Sequence, residues 1–319
     1  MPPAPRTLQV GEIRMAVLEE GSGPAVVFCH GFPDLAWSWR RQLTAVAAAG
    51  FRAIAPDQRG YGGTDGPDAV EAYDIHHLTG DLVHLLDTLG IERAVFVGHD
   101  WGGLVAWQMP LLHPARTAGV VGVNTPYLPR PPAPTVSLLR AMFGPRHYIV
   151  HFQEPGAADD GLARDVRRTF RQLMKTGIPF SEVEARVARD GVRNMVDIVA
   201  GTDTPGEPLL SDAELAVYVE TFTRTGFTGG INWYRNLDRN WATTADLPTR
   251  IEVPSLMVIA EWDPVLRPEL AAPMAALVSD LETVTIPRCG HWTPQERPDE
   301  LNRILVDWLT RRFGRERRP

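Results

Sequence analysis

Cysteine is scarce, with two in 319 residues, Cys29 and Cys289. Each stands near the end of an expected strand, and these strands are read as well separated in the sheet. A bridge would need their Cα atoms within about 7 Å. No disulfide is therefore expected, and a reducing, cytoplasmic setting fits. Long apolar runs are missing too. No stretch approaches the ~20 residues that cross a bilayer. The start, MPPAPRTLQV, lacks the apolar centre of a secretory signal. No membrane partner is expected. Nor is there an excess of positive charge: the net charge of −7 argues against nucleic acid as a partner. The one basic run, RRFGRERRP from Arg311, reads as a solvated C-terminal tail. There is no P-loop, no HExxH and no cysteine pair with metal spacing. His147 and His151 stand one turn apart but lack a third ligand. Neither a metal nor any other cofactor is expected.

What remains is an ordinary globular composition, 44% hydrophobic and 22% charged. Short apolar runs alternate with helical patterns. AVVFCH (25–30), RAIAPD (52–57), RAVFVGHD (93–100), GVVGVN (119–124), SLMVIA (255–260) and TVTIPR (283–288) suit strands buried on both faces. Leu78, Leu82, Leu85 and Leu89 recur at helical spacing with Gly90 as a stop. Leu301, Leu305, Trp308 and Leu309 do the same, with Pro298 placed to open their helix. The alternation predicts an α/β protein with helices on both faces of a mostly parallel sheet. One segment breaks the rhythm. From the proline-rich YLPRPPAP (127–134) to DLP (246–248) the chain is polar and helix-like, far too long for an ordinary crossover. Residues 128–246 are read as a helical lid inserted into a core formed by 1–127 and 247–319.

The stretch VGHDWGG (97–103) joins a buried strand to a helix expected to begin around Gly102. Such a sharp turn lifts its central side chain, Asp100, out of the sheet, while Gly98 and Gly102 let the backbones pass. The helix N-terminus favours an anion and is expected to keep the carboxylate ionised. An aspartate here could also simply cap the helix. Its partners decide. A nucleophile needs a base and the base an orienting acid, and in this architecture they follow in the order nucleophile, acid, histidine. EWDPV after one strand offers Asp263, and CGHW after the next offers His291. Glu261 is a rival acid, but Asp263 lies further onto the loop. HGFP (30–33) follows the neighbouring strand. The backbone N–H of Phe32, with that of Trp101, would form an oxyanion hole. His30 is read as structural. RGYGGTDG (59–66) misses the dinucleotide spacing and reads as a turn, and His76-His77 as an exposed helix start.

A carboxylate in the nucleophile's place adds nothing useful to an ester or amide. It suits displacement at a saturated carbon, giving an ester whose carbonyl belongs to Asp100 itself. Water activated by His291 could then attack that carbonyl. A halide would leave as a stable anion. An epoxide oxygen would leave as an alkoxide and want a proton, which tyrosine can supply. The lid offers Tyr148, Tyr218 and Tyr234.

HGFPDLAWSWR (30–40), GHDWGG (98–103), YIVHFQEPG (148–156), INWYRNLDRNW (231–241), EWDPV (261–265) and CGHWTPQERP (289–298) together resemble the soluble epoxide hydrolases of the α/β-hydrolase superfamily. The resemblance spans nearly the whole chain, lid included. It implies the α/β-hydrolase fold with an eight-stranded sheet. It also implies a small apolar epoxide and water as substrates, Asp100 as nucleophile, His291 as base and Asp263 as its acid. Tyr148 and Tyr234 match the motifs whose tyrosines hold the epoxide oxygen, and Tyr218 matches neither. Phe32, Pro33 and Trp101 are expected to line the substrate pocket. Mammalian members carry an additional N-terminal phosphatase domain, for which this chain has no room. A form without it, with 31 arginines against the single Lys175, fits a bacterial source.

The nearest alternative is a haloalkane dehalogenase, which uses a similar nucleophile turn. Phe32 stands where that family often has a halide-binding Asn, and the neutral Asn124 where some members take their acid. Haloacetate dehalogenases usually carry Arg in the place of Trp101. A ligand-binding protein on an inactive scaffold would not need all five of Asp100, Asp263, His291, Tyr148 and Tyr234. No motif sets the oligomeric state, and a homodimer is compatible with the sequence.

Overall fold

The computed structural model describes residues 4–201 and 204–314. Eight strands form one sheet: β1 (Arg6–Val10), β2 (Ile13–Gly21), β3 (Ala25–Cys29), β4 (Arg52–Pro56), β5 (Ala94–His99), β6 (Thr117–Val123), β7 (Ser255–Ala260) and β8 (Leu281–Ile286). Their order is β1-β2-β4-β3-β5-β6-β7-β8. β2 pairs antiparallel with β1 and β4, and all other pairings are parallel. The six apolar runs are all strands. The antiparallel pair β1–β2 adds the remaining two at one edge.

The apolar runs are continuous because both faces of the sheet are covered. Val27, Cys29 and Phe96 face one core with Leu78, Leu82, Leu85 and Trp107. Their neighbours Val26, Phe28, Val95 and Val97 face the other core with Leu43, Leu301, Leu305 and Trp308. This is the two-residue alternation of a strand, with an apolar layer waiting on each side. The leucine-patterned helices run Ile75–Thr88 and Pro298–Phe313.

The chain passes from β3 outward to β4 and then returns to β5 on the opposite side of β3. Strand order thus reverses between β3 and β5, and the loops beyond their carboxyl ends open a crevice there. Between β6 and β7 lies a run of helices, from Thr135–Phe143 to Leu237–Thr243. Phe152, Phe170, Phe222, Phe227 and Trp233 in this run join one of the two cores beneath it. That shared core seats the inserted segment over the crevice. One of its helices, Phe180–Asp190, buries no residue at all.

Some expectations change. The helix after Asp100 begins at Trp101, one residue early. The basic tail is not all solvated tail. Arg311 and Arg312 lie within the last helix, where they pair with Glu282, Asp307 and Asp280. Two carboxylates at β8 thus fasten the end of that helix to the sheet edge, and residues 315–319 lie outside the described residues. Cys29 and Cys289 are free and buried, on parts of the sheet separated by β5, β6 and β7. Among the described residues no helix is long and apolar enough to cross a membrane.

Candidate active site

Five loops at the carboxyl ends of neighbouring strands supply the site: His30–Asp34 after β3, Asp100 after β5, Asn124 after β6, Asp263 after β7 and His291 after β8. Asp100 has φ 52° and ψ −124°, a left-handed conformation that costs a non-glycine residue of order 1–3 kcal/mol. Two close approaches make the turn this sharp. A Cβ on Gly98 would stand 2.0 Å from the Gly102 carbonyl, and one on Gly102 would stand 2.0 Å from that of Cys29. The Asp100 side chain does not cap the helix that follows it. Instead its Oδ1 accepts the Phe32 amide at 2.7 Å, and the Trp101 amide also donates to the carboxylate.

His291 Nε2 lies 3.8 Å from Asp100 Oδ2, and its Nδ1 lies 2.9 Å from Asp263 Oδ2. Asp263 is wholly buried. It also accepts the Asn124 amide at 2.7 Å and the backbone N–H groups of Val265 and Leu266 at 2.8 and 3.0 Å. Glu261, the rival acid, is exposed and accepts the Arg288 amide instead.

Charge follows this geometry. Burial alone would raise Asp263, but His291, Asn124 and Leu266 outweigh it and hold the carboxyl at about 2. Burial would likewise lower His291, but Asp263 and then Asp100 raise it to about 9. Asp100 departs from the expectation of a readily ionised carboxylate. Burial holds it above its ordinary value, outweighing His291 and the two amides that pull it down. The amides at the helix N-terminus therefore offset only part of the desolvation cost.

Tyr148 and Tyr234 stand across the crevice, their rings 5.9 Å apart. Burial, and next the nearby Asp100 charge, keeps both hydroxyls protonated well past neutrality. Two cavities meet here, of about 480 and about 500 Å³. Both are lined by Asp100, Tyr148 and Tyr234. Phe32, Pro33 and His291 border the first, and Trp101 borders the second. Tyr218 lies elsewhere, donating to buried Asp34 at 2.8 Å. His30 is buried and accepts the Gln58 amide at 3.0 Å through Nε2, a packing role. Residues 59–66 form a turn, and His77 stands in the first turn of a helix capped by Asp74. His147 stacks on Phe143.

Sequence reasoning missed two supporting residues. Asn124 was notable only as a place where another family has its acid. Here its amide holds Asp263 and also reaches the carbonyls of Gly290 and His291, at 3.2 and 3.1 Å. His99, directly before Asp100, donates from Nε2 to the His291 carbonyl at 2.7 Å. Both stand at strand ends beside recognised residues, and that adjacency was the only signal available.

The arrangement brings a buried carboxylate, a histidine paired with a second carboxylate, two amide donors and two neutral hydroxyls to one space. Comparison with known proteins places the chain in a family. The α/β hydrolase fold family matches residues 24–298. "Epoxide hydrolase A" of Mycobacterium tuberculosis is 46% identical across 97% of this chain and 98% of its own length. "Bifunctional epoxide hydrolase 2" of Mus musculus is 41% identical over 93% of this chain, which spans only 53% of that longer protein. The crystal structure of Epoxide Hydrolase A from Mycobacterium thermoresistibile superposes with a TM-score of 0.87 at 41% identity, covering 97% of this chain and 98% of its own. The chain belongs to the epoxide hydrolases of the α/β-hydrolase fold family.

Proposed function

We propose that the protein hydrolyses epoxides to vicinal diols in two steps, with residues 128–246 serving as the cap over the site. In the first step Asp100 Oδ2 attacks one oxirane carbon. The carbon–oxygen bond breaks, and the oxygen takes a proton from Tyr148 or Tyr234. In the second, His291 removes a proton from water, and the resulting hydroxide adds to the Asp100 carboxyl carbon. Negative charge then gathers on Oδ1, to which the Phe32 amide donates at 2.7 Å, while the Trp101 amide donates to the same carboxylate. Collapse breaks the bond to the diol oxygen, which takes the proton of the Asp100 carboxyl and restores the carboxylate, while the His291 imidazolium returns its proton to the tyrosinate. Asp263 keeps the imidazole oriented and balances its charge.

One observation carries this reading: the two oxygens of Asp100 face different partners. Oδ1 accepts the Phe32 amide, and Oδ2 points to His291 at 3.8 Å, leaving room for a reacting group. The two cavities suggest that substituents on both oxirane carbons are accommodated, one in each. The test is single-turnover trapping with His291→Gln and an aryl epoxide such as styrene oxide. The variant should accumulate an ester, found by mass spectrometry on the peptide containing Asp100. No covalent adduct would refute the scheme.

A further inference from the structure

The loop carrying His291 is held from two sides. On the core side its carbonyls accept from His99 and Asn124. On the cap side it meets the segment 173–177. Trp292 Nε1 donates to the Leu173 carbonyl at 2.6 Å. Glu296, half-buried at the end of the short helix Thr293–Glu296, accepts the Gly290 amide at 2.8 Å. The same carboxylate accepts the Gly177 amide, at 3.1 Å to Oε1 and 3.2 Å to Oε2. Between the two amides the backbones are in direct contact: a Cβ on Gly177 would stand 2.5 Å from the Gly290 Cα, and the reverse also holds. A single carboxylate therefore closes a junction between the cap and the residue preceding the base.

The cap side of this junction is also a wall of the substrate space. Leu173, Lys175, Thr176 and Gly177 line the 480 Å³ cavity, and Val183 and Val187 of the helix Phe180–Asp190 continue the wall. That helix, with no buried residue, has little packing to fix it. The two tyrosines stand on other cap helices, Tyr148–His151 and Thr228–Arg235.

We propose that Glu296 is a positioning residue that couples this cap wall to His291, so that it governs the hydrolytic step and leaves ring opening alone. The inference rests on the two-step scheme above. Ring opening uses Asp100, its amide donors and the tyrosines, none of which Glu296 touches. Hydrolysis requires the imidazole to be aimed at a water beside Asp100, and aim is what a displaced loop loses.

Glu296→Gln keeps the side chain's size but replaces one acceptor oxygen with a donor that opposes an amide N–H. Rapid-quench kinetics on an aryl epoxide should show ester formation within about twofold of wild type and ester hydrolysis slowed about tenfold. Where hydrolysis limits turnover, kcat and KM then fall together while kcat/KM stays constant, a signature that general destabilisation does not produce. Gly177→Ala should act the same way from the cap side by forcing the two backbones apart. The double variant should be no slower than the slower single, since both changes open one junction. Unchanged hydrolysis in both variants overturns the inference, and so does equal slowing of both steps. Absence of any ester in the His291→Gln trap would instead defeat the two-step scheme and take this inference with it. That experiment alters neither Glu296 nor Gly177, so the two failures are distinguishable.

Discussion

Asp100 and His291 face each other across 3.8 Å, and each shifts the other's proton affinity. Forming the ester would remove one of these charges at the moment when His291 must act as a base. Asp100→Asn reproduces that neutralisation with almost no change in shape. Two unit charges at this separation interact by about 1 kcal/mol in a water-like medium and about 4 kcal/mol at an effective dielectric constant of 20. At about 1.4 kcal/mol per pKa unit, the imidazole should fall from about 9 by about 1 to 3 units in the variant. Asp263 keeps its partners in this variant and raises His291 more than Asp100 does, so the fall should lie toward the smaller end of that range. The assay is an NMR titration of protein labelled at its nine histidines, with His291 assigned by its loss in His291→Gln. If His291 titrates at the same pH in wild type and Asp100→Asn, the Asp100 charge does not hold it protonated. Alkylation could not then release the base.

Two further outcomes follow from the same geometry. Tyr148→Phe and Tyr234→Phe should each slow ester formation about tenfold while leaving hydrolysis of the ester unaltered, and the double variant should lose about 10²–10⁴ in rate, the usual scale of general acid catalysis; a fully active double variant, read by the same rapid-quench assay, would show that the oxygen is protonated by another group. Because the folded-state pKa of His291 is raised from 6.5 to about 9, its contribution to stability is complete below the lower value and is lost as pH rises through the upper one. Thermal melts should therefore show wild type losing more stability than His291→Gln between those two pH values, and parallel curves would contradict the assignment.

The strands and the order of functional groups were legible because they depend on local chemistry. A strand covered on both faces must be apolar throughout, so β3, β5, β6 and β7 announce themselves as runs. The nucleophile turn was legible for a similar reason. Its glycines are imposed by backbones 2.0 Å from where a Cβ would stand, and no other residue fits. The edge pair β1–β2 gave a weaker signal. Its outer strand is largely exposed, so apolar patterning there is sparse.

Sequence alone therefore determined the central strands, the loops that carry the carboxylates and the histidine, and the helical run that carries the tyrosines, since each follows from periodicity, turn chemistry or motif. Tertiary structure decided what no spacing encodes. Only folding brings Asn124 onto Asp263 across 139 positions, and Glu296 between amides of Gly290 and Gly177, the latter 119 positions away. The state of Asp100 was decided there as well. The helix N-terminus visible in the sequence favours its anion, but the burial around the folded site opposes it and prevails. Desolvation is a property of everything packed around a group, and no local stretch of chain can specify it.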